Sequence, residues 1–218
     1  MKFRCERDAL VEQLSTASRA VSSRGGALPV LTGIHLKAHK DVLTMTGSDL
    51  EITVRASVPV AVTESGEAVL PSRIAVDIIR SLDSGAIEVE VAGEEAKISG
   101  GRSQFSVRTL PVDDFPALSD PKGDEVTVST ADLAAGLKQV VRAASGDDAR
   151  PILTGVLMSA EDGGLRLVAT DSYRLAVRDL PEATVLSEGQ KVLVPSRALD
   201  ELGRVLGDSE EVLSLIHI

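Results

Sequence analysis

Leu28-Pro29-Val30-Leu31-Thr32-Gly33-Ile34 returns 122 residues later as Arg150-Pro151-Ile152-Leu153-Thr154-Gly155-Val156. The same offset carries Gly47-Ser48-Asp49 onto Ala169-Thr170-Asp171, and an offset of 124 carries Leu70-Pro71-Ser72-Arg73 onto Val194-Pro195-Ser196-Arg197. Three landmarks kept in one order mean that one module is written twice, and a repeat of this length sets the architecture before any single element is assigned. The first copy closes near Pro111-Val112-Asp113-Asp114-Phe115-Pro116, and Ser119-Asp120-Pro121-Lys122-Gly123 has the breaker residues of a linker. The domains are therefore read as 1–120 and 121–218. A copy of equal length opening near residue 123 would close roughly 26 residues beyond residue 218, so the second domain is expected to be incomplete and the chain truncated. The tail 213–218 is read as lacking the matching turn and strand pattern.

Within each copy the spacing of apolar residues switches between helical and extended. Leu10, Leu14, Ala17 and Val21, and again Leu133, Leu137, Val140 and Val141, form helical stripes, so each copy is expected to open with an amphipathic helix. Ser129 followed by Asp132 has the spacing of an N-cap pair. Alternation at Val30, Thr32, Ile34, Leu36 and Ala38, at Leu43 and Met45, and at Ile52, Val54, Ala56 and Val58 predicts three strands. A second helix starts at Pro71-Ser72, where proline is tolerated in the first turn, and carries Ile74, Ile78 and Leu82 on one face. Strands follow at Ile87/Val89/Val91, Ala96/Ile98 and Phe105/Val107. The second copy predicts a helix over 130–144, strands near 152, 165 and 175, and a helix over 196–206. The expected class is α+β, built from helix-plus-three-strand modules.

Composition limits the function classes. With 43% apolar and 26% charged residues, 218 residues suffice for two ordinary cores. The net charge of −10 and only Phe3, Phe105, Phe115 and Tyr173 as aromatics argue against a single-strand binder built on a basic groove with stacking rings. Cys5, the one cysteine, allows neither an internal disulfide nor a CxxC metal site, which fits a reducing cytoplasm. No stretch has the length and apolarity of a membrane span, and residues 1–10 alternate charged and apolar residues unlike a signal peptide. The phosphate-loop, nucleophile-elbow, HExxH and EF-hand motifs are all missing from the sequence, so neither a cofactor nor a metal is expected. His35 and His39 sit about 13 Å apart on one strand face, too far for one ion, and read as surface histidines. Asp49 and Asp171 stand at matching strand-turn junctions, where such side chains ordinarily accept from nearby backbone amides.

Charge is sorted by element. The segments 7–24, 71–83, 130–150 and 195–206 hold ten cations and nine acids, whereas the remainder holds 13 cations and 24 acids. Arg73, Asp77 and Arg80 share their spacing with Arg197, Glu201 and Arg204, and Lys138 and Arg142 add another pair one turn apart. Intrahelical ion pairing on a solvated face accounts for this equally well. If the helices share one side, that side is the relatively cationic one and suits a phosphate backbone held without base reading.

The duplicated module, Gly47-Ser48-Asp49-Leu50-Glu51, Gly101-Arg102-Ser103-Gln104-Phe105-Ser106 with Thr109-Leu110-Pro111, and Ala169-Thr170-Asp171-Ser172-Tyr173-Arg174-Leu175 together closely resemble the bacterial sliding clamp family, the beta subunit of DNA polymerase III. The resemblance implies helices on one concave face with antiparallel sheets outside. It also implies a third domain, absent from this chain, and a head-to-tail homodimer ring around duplex DNA. Such a protein is a cytoplasmic processivity factor that catalyses nothing, tethers the replicative polymerase and is opened by a clamp loader. A peptide-docking module without DNA encirclement is the alternative. Carried over by position, the DNA-facing candidates are Arg24, Arg73 and Arg150, and the helical charge pattern adds Lys138, Arg142 and Arg197. Leu153, Thr170, Ser172, Tyr173, Arg174 and Leu175 match half of the pocket that receives short peptide motifs of polymerase and loader. Ile74, Ile78, Leu82, Phe105 and Val107 match the dimer interface.

Overall fold

The computed structural model describes residues 1–22, 28–119, 124–161, 163–181, 189–207 and 210–216. Arg24, the linker residues 120–123 and the last two residues lie outside them. The chain divides into two units, Met1–Leu118 and Ser119–Ile218.

Unit 1 runs β1 (Lys2–Glu6), α1 (Arg7–Ala17), β2 (Gly33–His39), β3 (Val42–Ser48), β4 (Thr53–Pro59), β5 (Ala61–Glu64), β6 (Gly66–Pro71), α2 (Ser72–Ser81), β7 (Ala86–Ala92), β8 (Glu95–Gly100) and β9 (Ser103–Arg108). Its antiparallel sheets have the orders β4-β3-β2-β6 and β5-β1-β7-β8-β9. Unit 2 repeats the plan with β10 (Asp124–Ser129), α3 (Thr130–Val140), β11 (Gly155–Glu161), β12 (Gly164–Thr170), β13 (Leu175–Leu180), β14 (Lys191–Pro195), α4 (Ser196–Val205) and β15 (Glu211–Ile216). Its sheets are β13-β12-β11-β14 and β10-β15. The architecture is α+β, as expected.

Leu10, Leu14 and Ala17 of α1 bury their stripe in one core with Ile34, Leu36 and Met45 of one sheet and Phe3, Ile87 and Ile98 of the other. In unit 2, Leu133, Leu137 and Val140 do the same against Val156 and Leu167. Alternation along each strand then leaves an outer sheet face. Ser129 Oγ accepts from the Asp132 amide at 3.3 Å and starts α3. The corner between strand and second helix is fixed by a close approach. Gly33 pairs with Pro71 and Gly155 with Pro195. A Cβ at Gly33 would lie 2.5 Å from Val69 Cγ1, and one at Gly155 2.8 Å from Leu193 Cδ1.

Several expectations are corrected. Each copy opens with a strand, β1 or β10, ahead of its helix, and β5, β6 and β14 precede the second helices. Pro29–Thr32 forms a 3-10 turn, so β2 starts only at Gly33. Residues 211–216 of the tail are strand β15 on β10, where β7 lies on β1 in unit 1. In α2 the buried face is Ala75, Val76 and Ile79, with Leu82 just beyond, while Ile74 is 52% exposed and Ile78 only partly covered. His35 is no free surface histidine: it bonds Glu67 at 3.0 Å and stacks on Phe115.

Two substitutions three residues apart are expected to move stability in opposite directions. A Cβ at Gly47 would lie 2.1 Å from the Ala17 carbonyl oxygen, so Gly47→Ala must push α1 off β3 and lose about 2 kcal/mol. Leu50 is exposed with φ +76°, so Leu50→Gly relieves a left-handed residue and gains about 0.5 kcal/mol after the added chain entropy is counted. Urea denaturation midpoints should fall for the first and rise for the second; a common direction contradicts this account.

Candidate functional site

The cationic candidates separate by environment. Lys138 and Arg142, one turn apart on α3 and the 3-10 turn after it, are exposed and line a cleft of about 270 Å³ against Leu199, Asp200 and Arg204 of α4. Arg204 is spoken for: it donates to Asp200 at 2.7 Å and Glu201 at 2.9 Å, the intrahelical pairing that its spacing allowed. Arg80, its counterpart in α2, instead reaches Ser15 Oγ of α1 at 3.3 Å. Arg73 and Arg197 stand exposed on the first turns of α2 and α4. Arg150 does not join the helical group. Its Nε donates to Asp147 at 3.0 Å and its Nη1 to Ser172 Oγ at 3.3 Å, tying the Pro151–Leu153 turn to the loop between β12 and β13.

That loop carries the peptide-pocket candidates. Asp171 Oδ1 accepts from the amides of Tyr173 and Arg174, each at 3.0 Å, and Oδ2 accepts from Arg174 Nε. The Tyr173 amide first, then that of Arg174, holds the Asp171 carboxyl below the ordinary aspartate value. Asp49 accepts from Glu51 and Ile52 in the same way, so both aspartates shape turns. Thr170 Oγ1 donates to the Arg174 carbonyl at 2.7 Å. Ser172, at φ +80°, projects Tyr173 outward until it is 94% exposed. Thr170 pairs with Leu175, which is exposed, while Leu153 is half-buried.

Sequence reasoning missed the apolar surface beside this loop. Cross-strand registers align Val177, Val168, Leu157 and Leu193 as one row across the outer face of unit 2. Ile152, in the Pro151–Leu153 turn that precedes β11, is 77% exposed. The signal was available: these positions correspond at the repeat offsets to Arg55, Thr46, His35 and Val69, a polar row ending in one valine.

The dimer candidates also split. Leu82 and Val107 belong to the core, which removes them as exposed contacts. Ile74 and Phe105 are exposed, and β9 is the edge of its sheet. Among the described residues no group of three His, Cys, Asp or Glu side chains could hold a metal ion.

Two family models lie end to end on this chain: the N-terminal domain of the DNA polymerase III beta subunit matches residues 1–119, and the central domain matches 127–217. The chain belongs to the DNA polymerase III beta subunit family. It is 36% identical over 216 residues to the beta sliding clamp of Streptomyces coelicolor, covering 98% of this chain and 57% of that one. Against the clamp of Staphylococcus epidermidis it is 35% identical, covering 99% and 59%. The structure matches the Bacillus subtilis sliding clamp with a TM-score of 0.93 at 32% identity, over 100% of this chain and 60% of that one. A Pseudomonas aeruginosa clamp bound to griselimycin matches at 0.89 and 31%, over 99% and 59%. The chain thus spans less than two thirds of the beta subunits it matches.

Because amide donors favour the charged carboxylate, Asp171 should titrate below 3.8. The stabilisation it gives the loop is present above 3.8 and lost as pH falls through its lowered value. Carboxyl and amide NMR titration should show the Tyr173 and Arg174 amides moving with Asp171 at that lower pH, and Asp171→Ala abolishing the transition. A midpoint at or above 3.8 contradicts the assigned turn.

Proposed function

We propose that this chain forms the first two domains of a ring-shaped processivity factor that encircles duplex DNA in the bacterial cytoplasm and tethers the replicative polymerase. It carries out no reaction. A third domain and a second copy, joined head to tail, close the ring. Membership of the beta subunit family, with two domain matches laid over a duplicated module, carries this reading.

The side-chain chemistry supports it. Asp49 and Asp171 serve turns, and burial pushes the Cys5 thiol up to about 12, so it stays protonated at neutral pH. A sliding tether must avoid tight contacts, since each base-specific hydrogen bond is a barrier to movement. Exposed Lys138, Arg142, Arg73 and Arg197 on helices supply weak, screened attraction to phosphates without reading sequence. The Thr170, Tyr173, Arg174 and Leu175 surface is assigned to short peptide motifs of the polymerase and the clamp loader, with Leu153 at its margin. Ile74, Phe105 and the open edge of β9 are assigned to the second copy, an edge that otherwise invites unwanted strand pairing.

The test uses the full ring protein. Loaded with its loader and ATP, it should remain on nicked circular duplex and leave after linearisation. Lys138→Glu combined with Arg142→Glu should weaken non-specific duplex binding and reduce the slope of log K against log salt by about 2. Equal loss from circular and linear DNA would defeat topological tethering, and an unchanged slope would remove these two residues from the DNA face.

A further inference from the structure

The seam between the paired helices is built differently in the two units. In unit 1 it is filled: Val76 and Ile79 of α2 are buried in the core, and Arg80 Nη2 donates to Ser15 Oγ of α1 at 3.3 Å. Arg7 Nη1 of α1 donates to the Arg80 carbonyl at 3.3 Å, a second tie between the helices. At the repeat offset of 124, Val76, Ile79 and Arg80 correspond to Asp200, Gly203 and Arg204 of α4. The buried stripes of the first helices, Leu10, Leu14 and Ala17 against Leu133, Leu137 and Val140, match at an offset of 123, which places Lys138 where Ser15 stands.

These exchanges change both the space and the charge of the seam. Two apolar side chains give way to an acid and a glycine, and a Cβ at Gly203 would meet nothing within 4 Å. The seam therefore opens into the cleft of about 270 Å³, lined by α3, the 3-10 turn after it, and α4. Where unit 1 has a hydrogen bond across the seam, unit 2 has Lys138 and Arg204, with Arg142 beside them; Asp200 is the one acid among the described residues that line the cleft. Like charges around one gap repel, and an anion between them turns that repulsion into attraction. The buried floor, Leu137 and Leu199, is apolar, which strengthens the pull on a charge above it. Arg204 itself is divided between two acids: Nη1 donates to Glu201 at 2.9 Å and Nη2 to Asp200 at 2.7 Å. Nη2 can thus leave Asp200 while Nη1 stays on Glu201.

We propose that Arg204 and Asp200 form a charge latch over a phosphate seat between α3 and α4, a role that rests on the DNA-facing reading of these helices. With the latch closed, Asp200 holds Arg204 Nη2, and Lys138 and Arg142 supply the attraction. A backbone phosphate of the duplex that enters between them takes Nη2 from Asp200, and Arg204 becomes the third cation of the seat. One ion pair is broken for one made, so the exchange is nearly balanced and the phosphate leaves as readily as it came. Unit 1 does not repeat the latch, because its Arg80 is tied to Ser15 and Ile79 fills the position that Gly203 leaves open.

The test is fluorescence anisotropy of a short labelled linear duplex with the full ring protein, repeated over a series of salt concentrations. Asp200→Asn frees Arg204 in advance and should tighten binding about threefold, with the slope of log K against log salt steeper by about 1. In an Arg204→Gln background the same substitution should lose this gain, because no guanidinium is left to free. Gly203→Ile refills the seam as Ile79 does in unit 1, at a position where a glycine weakens the helix, and should likewise remove the gain of Asp200→Asn. A gain that survives Arg204→Gln makes Asp200 a mere negative charge near DNA and overturns the latch, as does indifference to Asp200→Asn. If Lys138→Glu with Arg142→Glu weakens duplex binding while Asp200→Asn changes nothing, the latch falls and the DNA face stands. If neither change moves duplex binding, both fall.

Discussion

A side chain has no room at Gly33 or Gly155, and much of the fold follows from that. At each position the first residue of a central strand lies under the side chain of the edge strand beside it, Val69 or Leu193. The same residue pairs with the proline that ends that edge strand and opens the second helix. One contact therefore fixes three things: where the central strand starts, the register of the edge strand, and where the helix leaves the sheet. A slip of one residue would turn Ile34, Leu36 and Ala38 out of the core and bring His35 and Lys37 in. The Pro-x-Leu-Thr-Gly signature that repeats in the sequence is this corner, written twice.

Much of the fold was legible because the repeat and the helical stripes are local. Leu10, Leu14 and Ala17, and Leu133, Leu137 and Val140, occupy the buried faces that their spacing predicts. The opening strands were not legible, since β1 finds its partner β7 more than eighty residues later, and such pairing leaves no local trace. Helix α2 misled for another reason. It offers two adjacent apolar stripes, and packing selects the one containing the small Ala75, which lets helix and sheet approach, over the bulkier Ile74 and Ile78. Of the site, the Asp171 turn was readable from its chemistry, while the row Val177, Val168, Leu157 and Leu193 required strand registers to assemble it.

The helical charges show how a chain of net charge −10 can offer attraction to phosphate. Counting cations overstates the effect, because Arg204 is neutralised by Asp200 and Glu201, and Arg150 is drawn to Asp147 and Ser172. What remains is a few exposed side chains, and each phosphate contact in water is worth about 1 kcal/mol at most before salt screens it. Such a surface attracts a phosphate backbone only weakly.

Duplication of a module preserves its corners and releases its outer faces to change. At four matching positions unit 1 has Arg55, Thr46, His35 and Val69, while unit 2 has Val177, Val168, Leu157 and Leu193. The backbone is the same; the solvation is opposite. In unit 1 the apolar end of the row is covered from within by Leu110 and Phe115, so that face is complete. In unit 2 the row is apolar throughout, with Val177 and Leu193 exposed along it. The unit with the apolar row is also the one whose Asp171 turn projects Tyr173 outward beside Leu175, so the two copies differ in their loops as well as in their sheet faces.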